Sequence, residues 1–193
     1  LAMVQEFARF TERLGIDTLE TIRIANTHRR VNLLIPGPGV GGYCVPNAFH
    51  YLRPKAEALG VRLPLLALAR QLNDGVPRVL VDWVEEELRT RGGGFSGRTV
   101  AVLGLAMKDY SNDDRESPAL AIADLIAARG AVVRAYDPLV EAPAMYRVGS
   151  WTEAVDGADV VFFLVKQRAC DALDWADVGR RMKADGLIFD AKG

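Results

Sequence analysis

Thr99-Val100-Ala101-Val102-Leu103-Gly104-Leu105-Ala106-Met107-Lys108 decides the fold. A short apolar, β-branched run that stops at a glycine reads as a buried strand leading into a loop. Working outward from it, Pro118–Ala128 reads as a helix closed by Gly130, and Ala131–Tyr136 as a second strand ending in Asp137-Pro138. Trp151–Val155 reads as a short helix, Asp159–Val165 as a third strand and Gly186–Asp190 as a fourth. Strands alternating with helices predict a parallel sheet covered on both faces, a Rossmann-like domain.

Upstream of the glycine run Gly92-Gly93-Gly94 the pattern is helical. A helix is expected up to Leu14, a second from Thr18 towards His28 with Asp17 as its cap, and a third over Pro46–Leu59. A long helix is predicted from Pro64 to about Thr90, with Leu65, Leu68, Leu72, Val76, Val79, Leu80, Trp83 and Leu88 as its apolar stripe. The fold class is therefore α/β: a helical domain over residues 1–96, followed by a Rossmann-like domain over 97–193.

The chain has 193 residues, 50% of them hydrophobic, and a formal charge of −1. So balanced a charge offers no general field for nucleic acid or an anionic membrane, and phosphate recognition needs a local site. No apolar run approaches the roughly 20 residues that span a bilayer. Cys44 and Cys170 lie far apart in different contexts; a structural disulfide is the weaker reading, because a chain this long buries a core unaided, and a reducing, cytoplasmic setting is expected. Leu1 opens inside an apolar-periodic helix without a cap, and the chain stops straight after a strand-like run, so a piece of a longer protein is expected.

The most specific stretch is Pro36-Gly37-Pro38-Gly39-Val40-Gly41-Gly42-Tyr43-Cys44. Glycines let backbone amides approach a ligand, and a cysteine leading into a helix sits near its positive end, which favours the thiolate. A buried cysteine beside a tight turn is the plain alternative. The second motif is Gly104-Leu105-Ala106-Met107-Lys108 with Asn112-Asp113-Asp114-Arg115-Glu116-Ser117-Pro118. It lacks the GxGxxG of a dinucleotide turn, yet Lys108 stands where such a sheet takes a nucleotide and can pair with phosphate oxygens. Ser117 and Pro118 read as a helix cap and first turn.

With Ile24-Ala25-Asn26-Thr27-His28, these motifs resemble the UDP-glucose/GDP-mannose dehydrogenase family over essentially the whole chain. The glycine loop looks most like that of members acting on UDP-N-acetylmannosamine, with UDP-glucose as the alternative substrate. The resemblance implies oxidation of a sugar C6 alcohol to the uronate with NAD, which is bound mainly by an N-terminal domain absent here. Cys44 is implied as the nucleophile, through a thiohemiacetal and a thioester. Substrate contacts are implied at Gly39, Gly41, Gly42, Lys108, Arg30 (with Arg29 equally placed) and Lys192, and a cofactor contact at Arg115. A UDP-sugar ligand, a homodimer and a chain inactive by itself are also implied.

One position departs from the family. An aspartate is usual four residues after the cysteine, where this chain has Ala48. Alanine is no general base, so a catalytically altered nucleotide-sugar-binding and dimerisation module stays open. Hydroxyacid and 6-phosphogluconate dehydrogenases fit less well, because their Rossmann domain precedes the helices and they use no such cysteine. His28 and His50 form no metal site with Cys44, and Cys170 has no comparable surroundings.

Overall fold

The computed structural model describes residues 1–192. Helices α1 (Ala2–Arg13), α2 (Thr18–Ala25), α3 (Cys44–Ala58) and α4 (Pro64–Thr90) precede β1 (Thr99–Leu103), α5 (Pro118–Ala128), β2 (Val132–Tyr136), α6 (Trp151–Val155), β3 (Val160–Phe163), α7 (Trp175–Arg181) and β4 (Leu187–Asp190). The strands form one parallel sheet in the order β2-β1-β3-β4. The chain runs from β1 to one side and then returns to β3 on the other. The ends of β1 and β3 therefore flank the switch point at which open α/β sheets bind ligands.

Alternation along each strand divides the core into two layers. Val100, Val102, Val133, Ala135, Val160 and Phe162 face α5 and the C-terminal half of α4. Ala101, Leu103, Val161 and Phe163 face α6 and α7. Val81, Val84 and Leu88 of α4 belong to the first layer together with Phe95, so the core is continuous across residues 96/97. Arg129, just after α5, ties that helix to α4 through Glu85 (2.8 Å) and Asp82. Below the sheet, Asp159 is clasped by Lys183, Arg98 and the Thr99 N–H. Burial pushes its carboxyl up, but these partners together outweigh burial and hold it below the ordinary carboxylate value.

The helical half differs from its expected packing. In α4 the residues buried are Val76, Pro77, Val81, Val84 and Leu88, while Leu65 and Leu68 stay exposed. Val45, Tyr51, Leu52 and Leu59 of α3 and its flank are exposed too, and only Pro46 of α3 is buried. Helix α3 also begins at Cys44 rather than Pro46, since a proline is accepted in a first turn. Helix α7 has no counterpart in the sequence reading. It buries only Val178 and is begun by the Asp174 side chain accepting from Ala176 N–H, a signal too short to give periodicity.

Candidate functional site

Two segments build the site, one from each half. The first is the glycine loop, strapped from three sides. Gln5 of α1 donates to the Gly37 carbonyl (2.7 Å). Asn73 of α4 accepts from the Val40 N–H (2.7 Å) and donates to its carbonyl (3.0 Å). Gly42 N–H donates to the Arg115 carbonyl (2.8 Å). Pro77 inside α4 has no N–H for the Asn73 carbonyl, so the helix is locally loosened where it grips the loop. Cys44 follows as the first residue of α3, exposed and free. Ala48 lies one turn further along and is also exposed.

The second segment joins β1 to α5. Its start is fixed by the buried Asp137 carboxylate at the end of β2. This accepts from Leu105 N–H (2.7 Å), Leu139 N–H (2.8 Å), Val140 N–H (3.1 Å) and the buried Gln167 amide. Donated N–H groups thus satisfy its buried oxygens. Ser117 caps α5 by accepting from Ala119 N–H while donating to the Ala106 carbonyl (3.1 Å). Between these anchors, Tyr110 and Glu116 take left-handed backbone angles (φ 55° and 46°). Such angles are uncommon for side chains of this size and mark a loop held from outside. Arg115 clamps Asp113 (2.6 Å), and its hydrogen bonds hold that carboxyl down at about 2. Asp113 in turn raises the Arg115 pKa most, with a smaller contribution from the nearby Cys44.

The glycines explain how the halves meet. A Cβ on Gly41 would stand 2.5 Å from the Glu116 carbonyl and 2.9 Å from Pro118 Cδ, and one on Gly42 would overlap Met107 Sδ. These two glycines permit backbone contact between the halves. Gly39 instead lines a cleft of about 340 Å³ with Pro36, Gly37, Lys108, Asp109, Lys166 and Lys192. The cleft opens at the ends of β1, β3 and β4, beside the first turn of α5.

Of the expected site residues, the cleft gathers Gly39, Lys108 and Lys192, with Lys192 paired to Asp109 (2.7 Å). Gly41 and Gly42 lie at the seam, and Cys44 stands where the seam meets α3. Arg115 supports the loop through its carbonyl while its guanidinium is engaged by Asp113. Arg30 is exposed and does not line the cleft. Its N–H is 3.3 Å from His28 Nδ1, and Arg29 and His50 are exposed as well. Cys170 is buried, which pushes its thiol up. Gln5, Asn73, Asp109, Asp137 and Lys166 were not expected at the site. Of these, Asp137 was marked in the sequence only as the end of the second strand.

The β1–α5 connection is not the tight glycine turn of a dinucleotide fold. Gly104 is followed by a long excursion to Ser117 rather than a tight glycine turn, and the space above Gly104 is filled by Val165. Among the described residues there is no cluster able to hold a metal ion, and no helix is long and apolar enough to cross a membrane.

Comparison with known proteins gives this arrangement a family. Residues 1–75 match the central domain of the UDP-glucose/GDP-mannose dehydrogenase family, and residues 101–193 match its UDP binding domain. A UDP-N-acetyl-D-mannosamine dehydrogenase of Methanocaldococcus jannaschii is 33% identical over 195 residues, covering 100% of this chain and 43% of the relative. The structure of the Pyrococcus horikoshii UDP-D-ManNAc dehydrogenase superposes with a TM-score of 0.88 at 32% identity, over 98% of this chain and 44% of that one. A UDP-glucose dehydrogenase from Pyrobaculum islandicum gives 0.84 at 26% identity, over 100% of this chain and 44% of that one. The chain thus spans less than half the length of each of these relatives. With both domain models matched in chain order on a fold these enzymes share, the chain belongs to the UDP-glucose/GDP-mannose dehydrogenase family, of which it carries the central and UDP binding domains.

Proposed function

We propose that this chain is the sugar-nucleotide half of an NAD-dependent UDP-sugar 6-dehydrogenase acting on UDP-N-acetylmannosamine or a close relative such as UDP-glucose. The observation that carries the proposal is the cleft that joins Gly39 of the cysteine loop to Lys108 and Lys192 at the sheet's switch point. Lysines there suit a diphosphate, and the strapped loop fixes Cys44 relative to them. Cys44 is assigned capture of the C6 aldehyde as a thiohemiacetal, which retains a reactive intermediate.

Forming that aldehyde from the C6 alcohol and oxidising the adduct to the thioester would each need one NAD+ as hydride acceptor, and the β1–α5 connection lacks the glycine turn of a dinucleotide site. The steps assigned to this chain are therefore binding, orientation and covalent capture, and the chain alone is expected to be inactive. Arg115, beside Cys44, is assigned a cofactor contact. Arg30 is assigned a reach into a partner subunit's site, since it is exposed and off its own cleft. A homodimer is supported by the apolar residues left bare on α1 to α4, among them Phe10, Ile24, Leu59 and Leu65. Two free cysteines suit a cytoplasmic enzyme of polysaccharide biosynthesis.

A second reading has its own observation. Ala48 puts a methyl group one turn from Cys44, so a module that binds nucleotide sugar with altered or lost hydrolysis is the alternative. Both readings need the cleft. Calorimetric titration is expected to detect UDP and UDP-N-acetylmannosamine, and Lys108→Ala to weaken both at least about tenfold, as loss of a charge-assisted hydrogen bond requires. Absence of binding, or affinity unchanged in the variant, would sink the assignment.

A further inference from the structure

Lys108 is not the only unpaired cation in the cleft. Lys108, Lys166 and Lys192 all line it, and Asp109 holds the Lys192 ammonium and the Lys166 backbone. Lys108 precedes Asp109 in the chain. Lys192 is ion-paired to its Oδ2 (2.7 Å). Lys166 N–H donates to its Oδ1 (2.8 Å), and the Lys166 carbonyl accepts from Tyr110 N–H (2.9 Å). The chain leaving β3 is thus zipped to the chain leaving β1, which sets Lys166 and Lys108 at a fixed spacing on neighbouring walls.

Asp109 balances one of the three ammonium groups. Among the described residues neither Lys108 nor Lys166 has an ion-pair partner. Three lysine ammonium groups against the one carboxylate of the lining leave an excess of positive charge in a partly enclosed site, where water screens it less than on an open surface. Lys166 is half-buried, and its ammonium lines the cleft with no carboxylate partner among the described residues, so holding it there costs side-chain freedom. A bound anion would offset that cost.

We infer that Lys166 is a second diphosphate-binding lysine, acting with Lys108 across the β1/β3 crevice and giving the site its preference for a diphosphate over a monophosphate. This rests on the nucleotide-sugar reading of the cleft only for the identity of the anion's carrier. Titration of the chain with UDP, UMP, uridine and inorganic pyrophosphate separates the two. Lys166→Gln is expected to weaken UDP and pyrophosphate about tenfold and to reduce the preference of UDP over UMP, as removing one charged hydrogen bond does. Lys166→Arg keeps the charge and is expected to stay within about threefold of the parent. Thermal unfolding of both variants should match the parent.

If UDP binds the parent and Lys166→Gln binds it equally well, the inference about Lys166 falls and the nucleotide reading stands. If pyrophosphate binding depends on Lys166 but UDP binds no more tightly than pyrophosphate, the inference stands and the nucleotide reading falls. Binding of neither ligand overturns both.

Discussion

Gly104→Ala is expected to lower the unfolding free energy by about 3–5 kcal/mol, enough to leave much of the chain unfolded. Gly104 ends β1 with φ +85°, a left-handed angle that a side chain resists. A Cβ there would overlap the Val165 carbonyl and come within 2.7 Å of the Val165 nitrogen. Neither neighbour can yield. Val165 directly continues the chain leaving β3, whose residues are in register with β1, and Gly104 N–H is itself bonded to the Tyr136 carbonyl (2.9 Å). Moving either backbone would break the switch point on which the cleft depends. Gly97→Ala is the control, because Gly97 has φ +74° but nothing within 4 Å of its Cβ position. It should cost only the conformational part, about 1 kcal/mol. Urea unfolding followed by circular dichroism compares them. Equal losses would mean that the close approach at Gly104 contributes nothing.

The second large effect concerns the two thiols. Iodoacetamide at neutral pH is expected to modify Cys44 about a hundredfold faster than Cys170, since exposure and local cationic surroundings govern thiol reactivity. Cys44 is exposed at the first residue of the α3 helix, close to Arg115. Cys170 is 8% exposed and packed among Ala101, Leu103 and Met182, with its thiol pushed up by burial. It reacts only when that layer opens. Peptide mass spectrometry over time reads both rates in one sample. Similar rates would remove the basis for a reactive cysteine in the loop.

Much of this was legible in the sequence for identifiable reasons. The central strands stand out because β1 and β3 are buried on both faces and read as apolar runs, β1 ended by Gly104. Helix α4 was bounded at Pro64 and Thr90 because a proline start and a glycine stop are local signals. That Lys108 and the glycine loop share a site was implied by the family resemblance, and of the loop glycines so implied Gly39 lines the cleft with Lys108. Long-range contacts were not legible. Asn73 reaches Val40 and Asp137 reaches Leu105 across more than thirty positions, and no spacing rule encodes such pairs. The stripe of α4 differs from its expectation at Leu65, Leu68 and Trp83, which are exposed, and at Val81 and Val84, which are buried, because apolar periodicity marks a face without saying what covers it. The roles of Gly41 and Gly42 divided from that of Gly39 for a similar reason. A glycine permits close approach, but sequence does not say whether ligand or protein does the approaching.

One measurement bears most directly on the claim that the cysteine loop and the β1/β3 cleft are a single nucleotide-sugar site. The rate of Cys44 alkylation is followed with and without saturating UDP-N-acetylmannosamine, in the parent chain and in Lys108→Ala. Sugar seated beside Cys44 by a diphosphate held at Lys108 should slow alkylation at least about fivefold in the parent and leave the variant's rate unchanged. Alkylation at the same rate with ligand bound, under conditions where calorimetry detects binding, would contradict the claim and separate Cys44 from the nucleotide site.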